Sequence, residues 1–203
     1  PLQSKEIVSA EGCLGPVAKA VVAGSYNEPM VDRDHYCGGY REYWTNVKGC
    51  ETSTGDIEIH FVDSINPGYF WIFPVSENVV NVGIGMVMSL LDKQKKKLKA
   101  LQAEVIANHP MFKDRFAEAE MVPGSAKGWQ LPFGSPRKKS KLNPRRSSMN
   151  GIKLVGYAAS LVDPFSGEGV GNALVTGEMA VRPILDQTTP LEYPEESWPA
   201  RPP

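Results

Sequence analysis

Between residues 31 and 87 the chain runs in short alternating apolar and polar stretches broken by turn signals, and this limits the fold more than any other segment. Residues 36–47 (YCGGYREYWTNV) are rich in aromatics and interrupted by Gly38-Gly39, where a bulge or a close approach is expected. Gly55-Asp56 marks a turn, after which Ile57, Ile59 and Phe61 share one face and Glu58 and His60 the other. Asn66-Pro67-Gly68 marks the next turn. A strand of aromatics follows, Tyr69-Phe70-Trp71-Ile72-Phe73-Pro74, then a more deeply buried one over residues 78–88. Turns this short join neighbouring strands antiparallel. A period of two sets Tyr69, Trp71 and Phe73 on one face, with Phe70 and Ile72 on the other. Such a row of rings makes either a core layer or the wall of an apolar pocket.

A second constraint lies at residues 154–180 (LVGYAASLVDPFSGEGVGNALVTGEMA). A buried strand end (Ile152, Leu154, Val155) enters a loop of small residues with one proline, Pro164. Gly167, Glu168, Gly169, Val170 and Gly171 come next, and then a helical pattern through Ala173, Leu174, Val175, Met179 and Ala180. Glycines let backbone press close to a flat or charged ligand, and a helix opening there aims unpaired N–H groups at it. Strand, glycine loop and helix therefore describe either a site for an anionic or electron-rich cofactor or an ordinary strand–helix corner.

The remaining stretches are plainer. Residues 89–108 predict one helix capped by Ser89, with Leu91, Leu98, Leu101 and Val105 inward and lysines 93, 95, 96, 97 and 99 on a solvated face. Residues 111–120 predict a second short helix, and 126–133 a return to extended chain. Residues 134–150 carry six basic side chains, two prolines and no apolar period, which predicts a mobile surface loop. It lacks the aromatics that base stacking needs, and the formal net charge is -1, so no nucleic-acid partner is expected. The acidic, Pro-rich end, 186–203, predicts a loosely packed tail. Three cysteines without a Cys-x-x-Cys pair and three scattered histidines predict neither a disulfide framework nor a metal site. No run approaches membrane-span length, which predicts a cytoplasmic protein with at most peripheral membrane contact through its lysines. The start at Pro1, without methionine, reads as a piece entered midway.

Gly156, Ala158, Ala159, Pro164, Gly167, Gly169 and Val170 resemble the second flavin fingerprint of FAD-dependent oxidoreductases of the aromatic-hydroxylase and geranylgeranyl reductase kind. Tyr157 stands where that family has an aspartate that accepts a hydrogen bond from the ribityl chain. Ala10, Gly12, Pro16 and Lys19 resemble the family's middle fingerprint, with Glu11 in place of its aspartate and Gly15 in place of its serine. Tyr69, Trp71, Phe73 and Pro74 are similar to the Tyr-x-Trp-x-Phe-Pro string of geranylgeranyl reductases; related flavin halogenases carry Trp-x-Trp-x-Ile-Pro.

The resemblance implies an α+β fold: an antiparallel substrate-binding sheet with flanking helices, plus the C-terminal part of an FAD-binding α/β domain. It implies a partial FAD-binding domain over 1–30 and 151–185 and a substrate-binding sheet domain over 31–133, its helices at 89–120. It implies reduction of isolated C=C bonds in prenyl chains. Gly156, Tyr157, Pro164, Gly167, Glu168, Gly169, Val170 and Gly171 would face FAD; Tyr69, Trp71, Phe73 and Pro74 would face a prenyl lipid or another apolar small molecule. Glycine bend and aromatic row would be two walls of one chamber. No residue identifies itself as the proton donor. The family's N-terminal strand–Gly-x-Gly-x-x-Gly–helix unit is not found, so this chain alone is expected to bind FAD weakly or not at all. The other readings are a non-catalytic remnant or lipid-binding module, and a flavin hydroxylase or halogenase.

Overall fold

A computed structural model of the chain describes residues 3–50, 56–137 and 147–186. In chain order its elements begin with β1 (Ile7–Ser9) and α1 (Pro16–Lys19), which runs on into a wider turn over Ala20–Ser25. Then come β2 (Tyr36–Thr45), β3 (Glu58–His60), β4 (Tyr69–Ser76), β5 (Val79–Val87), α2 (Met88–Gln94) and α3 (Leu98–Asn108). The chain ends its described part with β6 (Glu120–Met121), β7 (Lys127–Pro132), β8 (Ser148–Met149), β9 (Ile152–Leu154) and α4 (Val170–Asp186). The fold is α+β and divides into two compact units, one of residues 1–35 and 131–203, the other of Tyr36–Gln130.

The Tyr36–Gln130 unit is built on an antiparallel sheet of order β3-β4-β5-β2-β6, with β7 also pairing β2. The β2–β5 ladder runs without a break from Cys37↔Val87 to Thr45↔Val79, so Gly38-Gly39 is not a bulge. Gly38 is instead a close approach, because a Cβ there would meet Leu98 Cδ1 at 3.2 Å and Leu91 Cδ1 at 3.5 Å. One face of the sheet is core: Phe70 and Ile72 of β4 and Val80, Val82, Ile84 and Met86 of β5 pack with Leu101 and Val105 of α3 and with Phe112 and Phe116. Each such side chain contributes about 1.5–3 kcal/mol by leaving water.

The expected single helix over 89–108 is two. Lys95 takes a left-handed conformation (φ 51°) that ends α2, and Lys96 N–H closes the turn on Leu91 O at 3.0 Å. The break lets Leu91 and Leu98 converge on Gly38, which a continuous helix would not do. Val87, not Ser89, precedes the first turn, and no side chain caps it. The lysines do lie in solvent. No helix forms over 111–120 either. Successive turns bring Phe112 and Phe116 into the core, with Phe116 N–H on Phe112 O at 3.0 Å.

Glu42 of β2, 8% exposed, sits inside this core with three donors on its carboxylate: Tyr40 Oη at 2.7 Å, Trp44 Nε1 at 3.0 Å and Gln102 Nε2 at 2.9 Å. The bonds offset the cost of burying the carboxylate and tie α3 to the sheet.

In the other unit, β1 runs parallel to β9 and β8 pairs β9 antiparallel. Ala18, Val21, Val22, Leu154, Ala158, Ala159 and Leu161 form its core. Glu11 Oε1 accepts the Ala18 N–H at 2.8 Å, satisfying an early amide of α1. Gly156 has φ +54°, and a Cβ on it would lie 2.9 Å from Ala173 Cβ; only glycine allows α4 to pack this closely. Buried Lys153 is held by Glu6 at 3.7 Å and Ala180 O at 3.4 Å. The expected loop over 134–150 is corrected at both ends. Arg137 pairs with Asp32 at 3.2 Å, and Ser148–Met149 is a strand. Residues 138–146 of that loop and 187–203 of the tail lie outside the described residues.

Candidate functional site

The face of the large sheet opposite its core is apolar and open. Ladder partners point to the same side, so Ile59, Trp71, Gly83 and Arg41 form one row across β3, β4, β5 and β2. Phe73, Asn81 and Tyr43 form the next, and Tyr69, Gly85 and Gly39 the one before. Strand β3 is inverted relative to an ordinary surface strand. Its Glu58 and His60 point to the helical side, while Ile57, Ile59 and Phe61 are 66%, 43% and 68% exposed. The polar side chains are fixed there by Arg115, whose guanidinium meets Glu58 in two bonds of 2.7 Å, with His60 Nε2 a further 2.8 Å from the same carboxylate. Hydrogen bonds from Arg115 hold the Glu58 carboxyl below the usual range, against the effect of burial. This ion pair keeps the apolar side chains of β3 facing outward.

Tyr69, Trp71 and Phe73 are half-buried, not core. The Trp71 indole covers Gly83 of β5, where a Cβ would stand 2.0 Å from its Cζ2. Trp71 Nε1 donates to Asn81 Oδ1 at 3.1 Å, which satisfies the indole's polar atom and fixes the ring's direction. Tyr69 packs edge-on to Trp71 at 5.8 Å, Phe73 stacks on it at 6.0 Å, and Phe61 reaches Tyr69 at 6.3 Å. A continuous wall of rings with its indole N–H satisfied suits an alkene chain, which offers no hydrogen bonds. Pro74 does not join it. It pairs with Val80 of the core face, and the ladder shifts register before Ser76. Cys37 lies on the open-face side, but burial pushes its thiol up to about 12, so it stays protonated.

In the other unit the loop before α4 is closed on itself. Asp163 Oδ1 accepts from Phe165 N (3.0 Å), Ser166 N (2.7 Å) and Ser166 Oγ (2.8 Å), and Gly167 N donates to Asp163 O at 2.9 Å. Pro164 lies inside this loop, and Gly167 adopts φ +74°. Glu168 Oε1 accepts the Gly171 N–H at 2.7 Å, so the first turn of α4 already holds a carboxylate of its own chain. The Tyr157 ring packs on buried Gly169, where a Cβ would lie 2.5 Å from Tyr157 Cε1. Val170 is 72% exposed, and its N–H has no acceptor among the described residues.

Residues 36–124, which contain the open sheet face, match the family model of the geranylgeranyl reductase catalytic domain. By this match that stretch of the chain is a geranylgeranyl reductase catalytic-domain segment. A digeranylgeranylglycerophospholipid reductase of Thermoplasma volcanium is 35% identical over 125 residues, which are 60% of this chain and 28% of that protein. The corresponding reductase of Methanocaldococcus jannaschii is 28% identical over 206 residues, 97% of this chain and 47% of that one. This chain thus spans less than half the length of these curated relatives. Among solved structures, a geranylgeranyl bacteriochlorophyll reductase-like protein of Thermoplasma acidophilum superposes with TM-score 0.67 at 22% identity, covering 91% of this chain and 43% of that one. A flavin-dependent brominase superposes with TM-score 0.65 at 18% identity, covering 95% of this chain and 46% of that one, so the two share a fold.

FAD is the group this geranylgeranyl reductase family implies. The Val170 N–H, without an acceptor among the described residues, stands at the positive end of a 17-residue helix and would suit the electron-rich edge of a flavin ring. Tyr157 offers a phenol where the resemblance expects a carboxylate for the ribityl chain, and Glu168 presents negative charge to the α4 end. The residues fit the ring edge of the group but not its ribityl chain. Sequence reasoning missed Arg41, Ile59, Phe61, Asn81 and Gly83 as parts of the open face. The inverted polarity of β3, with apolar residues at odd positions flanking Glu58 and His60, was the available signal for two of them. No described helix is long and apolar enough to cross a membrane.

Proposed function

We propose that this chain carries the prenyl-binding part of an FAD-dependent reductase of isolated C=C bonds in prenyl lipids. The observation that carries the reading is the half-buried ring wall of Tyr69, Trp71 and Phe73 on the open sheet face, with the indole seated on Gly83, inside the segment that matches the reductase catalytic domain. The wall holds an extended alkene flat and excludes water from one side of it. Reduced FAD supplies the hydride in such a reaction. The Val170 N–H would donate a hydrogen bond to the ring edge of bound FAD, and the α4 dipole would favour negative charge there. Glu168 and Tyr157 oppose tight binding, so the chain alone holds FAD weakly.

The experiment supplies the chain with FAD, dithionite and a geranylgeranyl lipid and follows the lipid by mass spectrometry. Gain of two hydrogens per reduced bond, lost in Trp71→Ala, supports the reading. A chain that neither reduces nor binds the lipid overturns it. A second reading, a prenyl-binding module without flavin, is favoured by Glu168 on the helix end and the Tyr157 ring on Gly169. Lipid binding with no flavin binding at any FAD concentration would select it.

A further inference from the structure

Arg41 is the one side chain of the open-face rows that carries a full positive charge. It sits in β2, directly across Gly83 from Trp71, and so about 10 Å from β4 at ordinary strand spacing. Its guanidinium lies 4.4 Å over the Tyr43 ring, and Tyr43 is joined through Asn81 to Phe73. One of its N–H groups donates to Ser125 O at 2.8 Å, while Tyr43 N–H donates to Ser125 Oγ at 3.0 Å. An arginine has five N–H donors in a planar fork. Among the described residues no carboxylate forms an ion pair with this one, whereas Arg115, Arg137 and Arg182 each have such a partner. Arg41 is thus half-buried and held in place by a ring and a carbonyl beside an apolar wall, with no carboxylate partner among the described residues.

We infer that Arg41 recognises the anionic phosphate ester at the head of the lipid whose prenyl chain lies on the wall. The inference rests on the reading of the open face as a prenyl seat, and adds the residue that selects a charged amphiphile over a neutral one. A guanidinium fork matches phosphate oxygens in two parallel bonds, and stacking on Tyr43 preorganises it, so little side-chain freedom is lost on binding. Tyr43 also confines the charge to one border of the face, which gives the lipid a direction: head toward β2, chain across β5 and β4.

The test uses the whole chain and measures binding of a prenyl monophosphate, the prenyl alcohol of equal length, and inorganic phosphate, each by calorimetry. Wild type should prefer the prenyl phosphate over the alcohol by about tenfold or more, the scale of a charge-assisted pair. Arg41→Gln should remove that preference while leaving alcohol affinity within about twofold, and Arg41→Lys should retain part of it. Inorganic phosphate should neither bind measurably nor displace the lipid, because the wall supplies most of the affinity. Equal binding of phosphate and alcohol by wild type overturns the inference while the prenyl seat stands. So does an Arg41→Gln chain that weakens both ligands alike, the mark of a brace for Ser125 only. Displacement by inorganic phosphate would show a free-anion site and likewise refute it. If neither lipid binds, the prenyl seat itself fails.

Discussion

Replacing Gly83 by alanine tests the wall without touching a single ring. The added Cβ would stand 2.0 Å from Trp71 Cζ2, 2.3 Å from Cε2 and 2.7 Å from Cη2. Carbon atoms settle at about 3.5–4.0 Å, so the indole must lift by about 1.5–2 Å. Lifting lengthens the 3.1 Å bond to Asn81 and opens the stack on Phe73. A hydrogen bond of this kind contributes about 0.5–1.5 kcal/mol, and an aromatic pair a similar amount. The ring is half-exposed and free to rise, so a net stability loss of about 1–2 kcal/mol is expected, not the collapse that overpacking a closed core brings. Affinity for a prenyl alcohol should fall about tenfold, because the displaced indole interrupts the row of rings. Near-ultraviolet circular dichroism, urea unfolding and calorimetry together read the three effects. An alanine variant with the wild-type dichroism of its tryptophans and unchanged lipid affinity would refute the reasoning.

Other perturbations follow from the same geometry. Glu42→Leu leaves the Tyr40, Trp44 and Gln102 donors unpaired in the core and should cost about 3 kcal/mol or more by urea unfolding, with lipid affinity following only through stability. The Glu58 carboxyl is depressed by Arg115 in the folded state, so its contribution is present above the ordinary glutamate range and lost as pH falls through the lower folded value. The urea midpoint should therefore drop on acidification below about pH 4, and Arg115→Met should flatten that drop while costing about 1 kcal/mol at pH 7, since the pair is only partly shielded. Glu168→Gln removes a charge from the α4 end and should tighten FAD about threefold in a flavin-fluorescence titration, with slight loss of helix stability; weaker FAD binding would contradict the competition described for that carboxylate.

Much of the sheet was legible because its constraints are local. The two-residue period alone separated Tyr69, Trp71 and Phe73 from Phe70 and Ile72, as the β4–β5 ladder has them. What the period left open was which face meets water. Buried Phe112 and Phe116 decide it, by drawing the helical layer onto Phe70. They come from a segment whose spacing suggested a regular helix, and tertiary contact with the core replaced that helix by turns. The split of α2 from α3 was hidden for the same reason. Lysines at 95–97 are good helix formers, and only the shared contact of Leu91 and Leu98 with Gly38 forces the chain to turn there. At the glycine loop the sequence exposed the backbone chemistry but not its self-satisfaction. Asp163 closing on Ser166 and Glu168 on Gly171 are bonds between residues three apart, which depend on side-chain directions that spacing does not determine.

The proposed seat of the prenyl chain is the open face of the large sheet. Photo-crosslinking with a diazirine-bearing prenyl phosphate on the intact chain, followed by peptide mapping, tests it directly. Adducts are expected at Ile59, Tyr69, Trp71 and Phe73, removed by excess unlabelled lipid. Adducts gathered instead on the exposed side of α4, at Val170, Leu174 and Leu185, would contradict it.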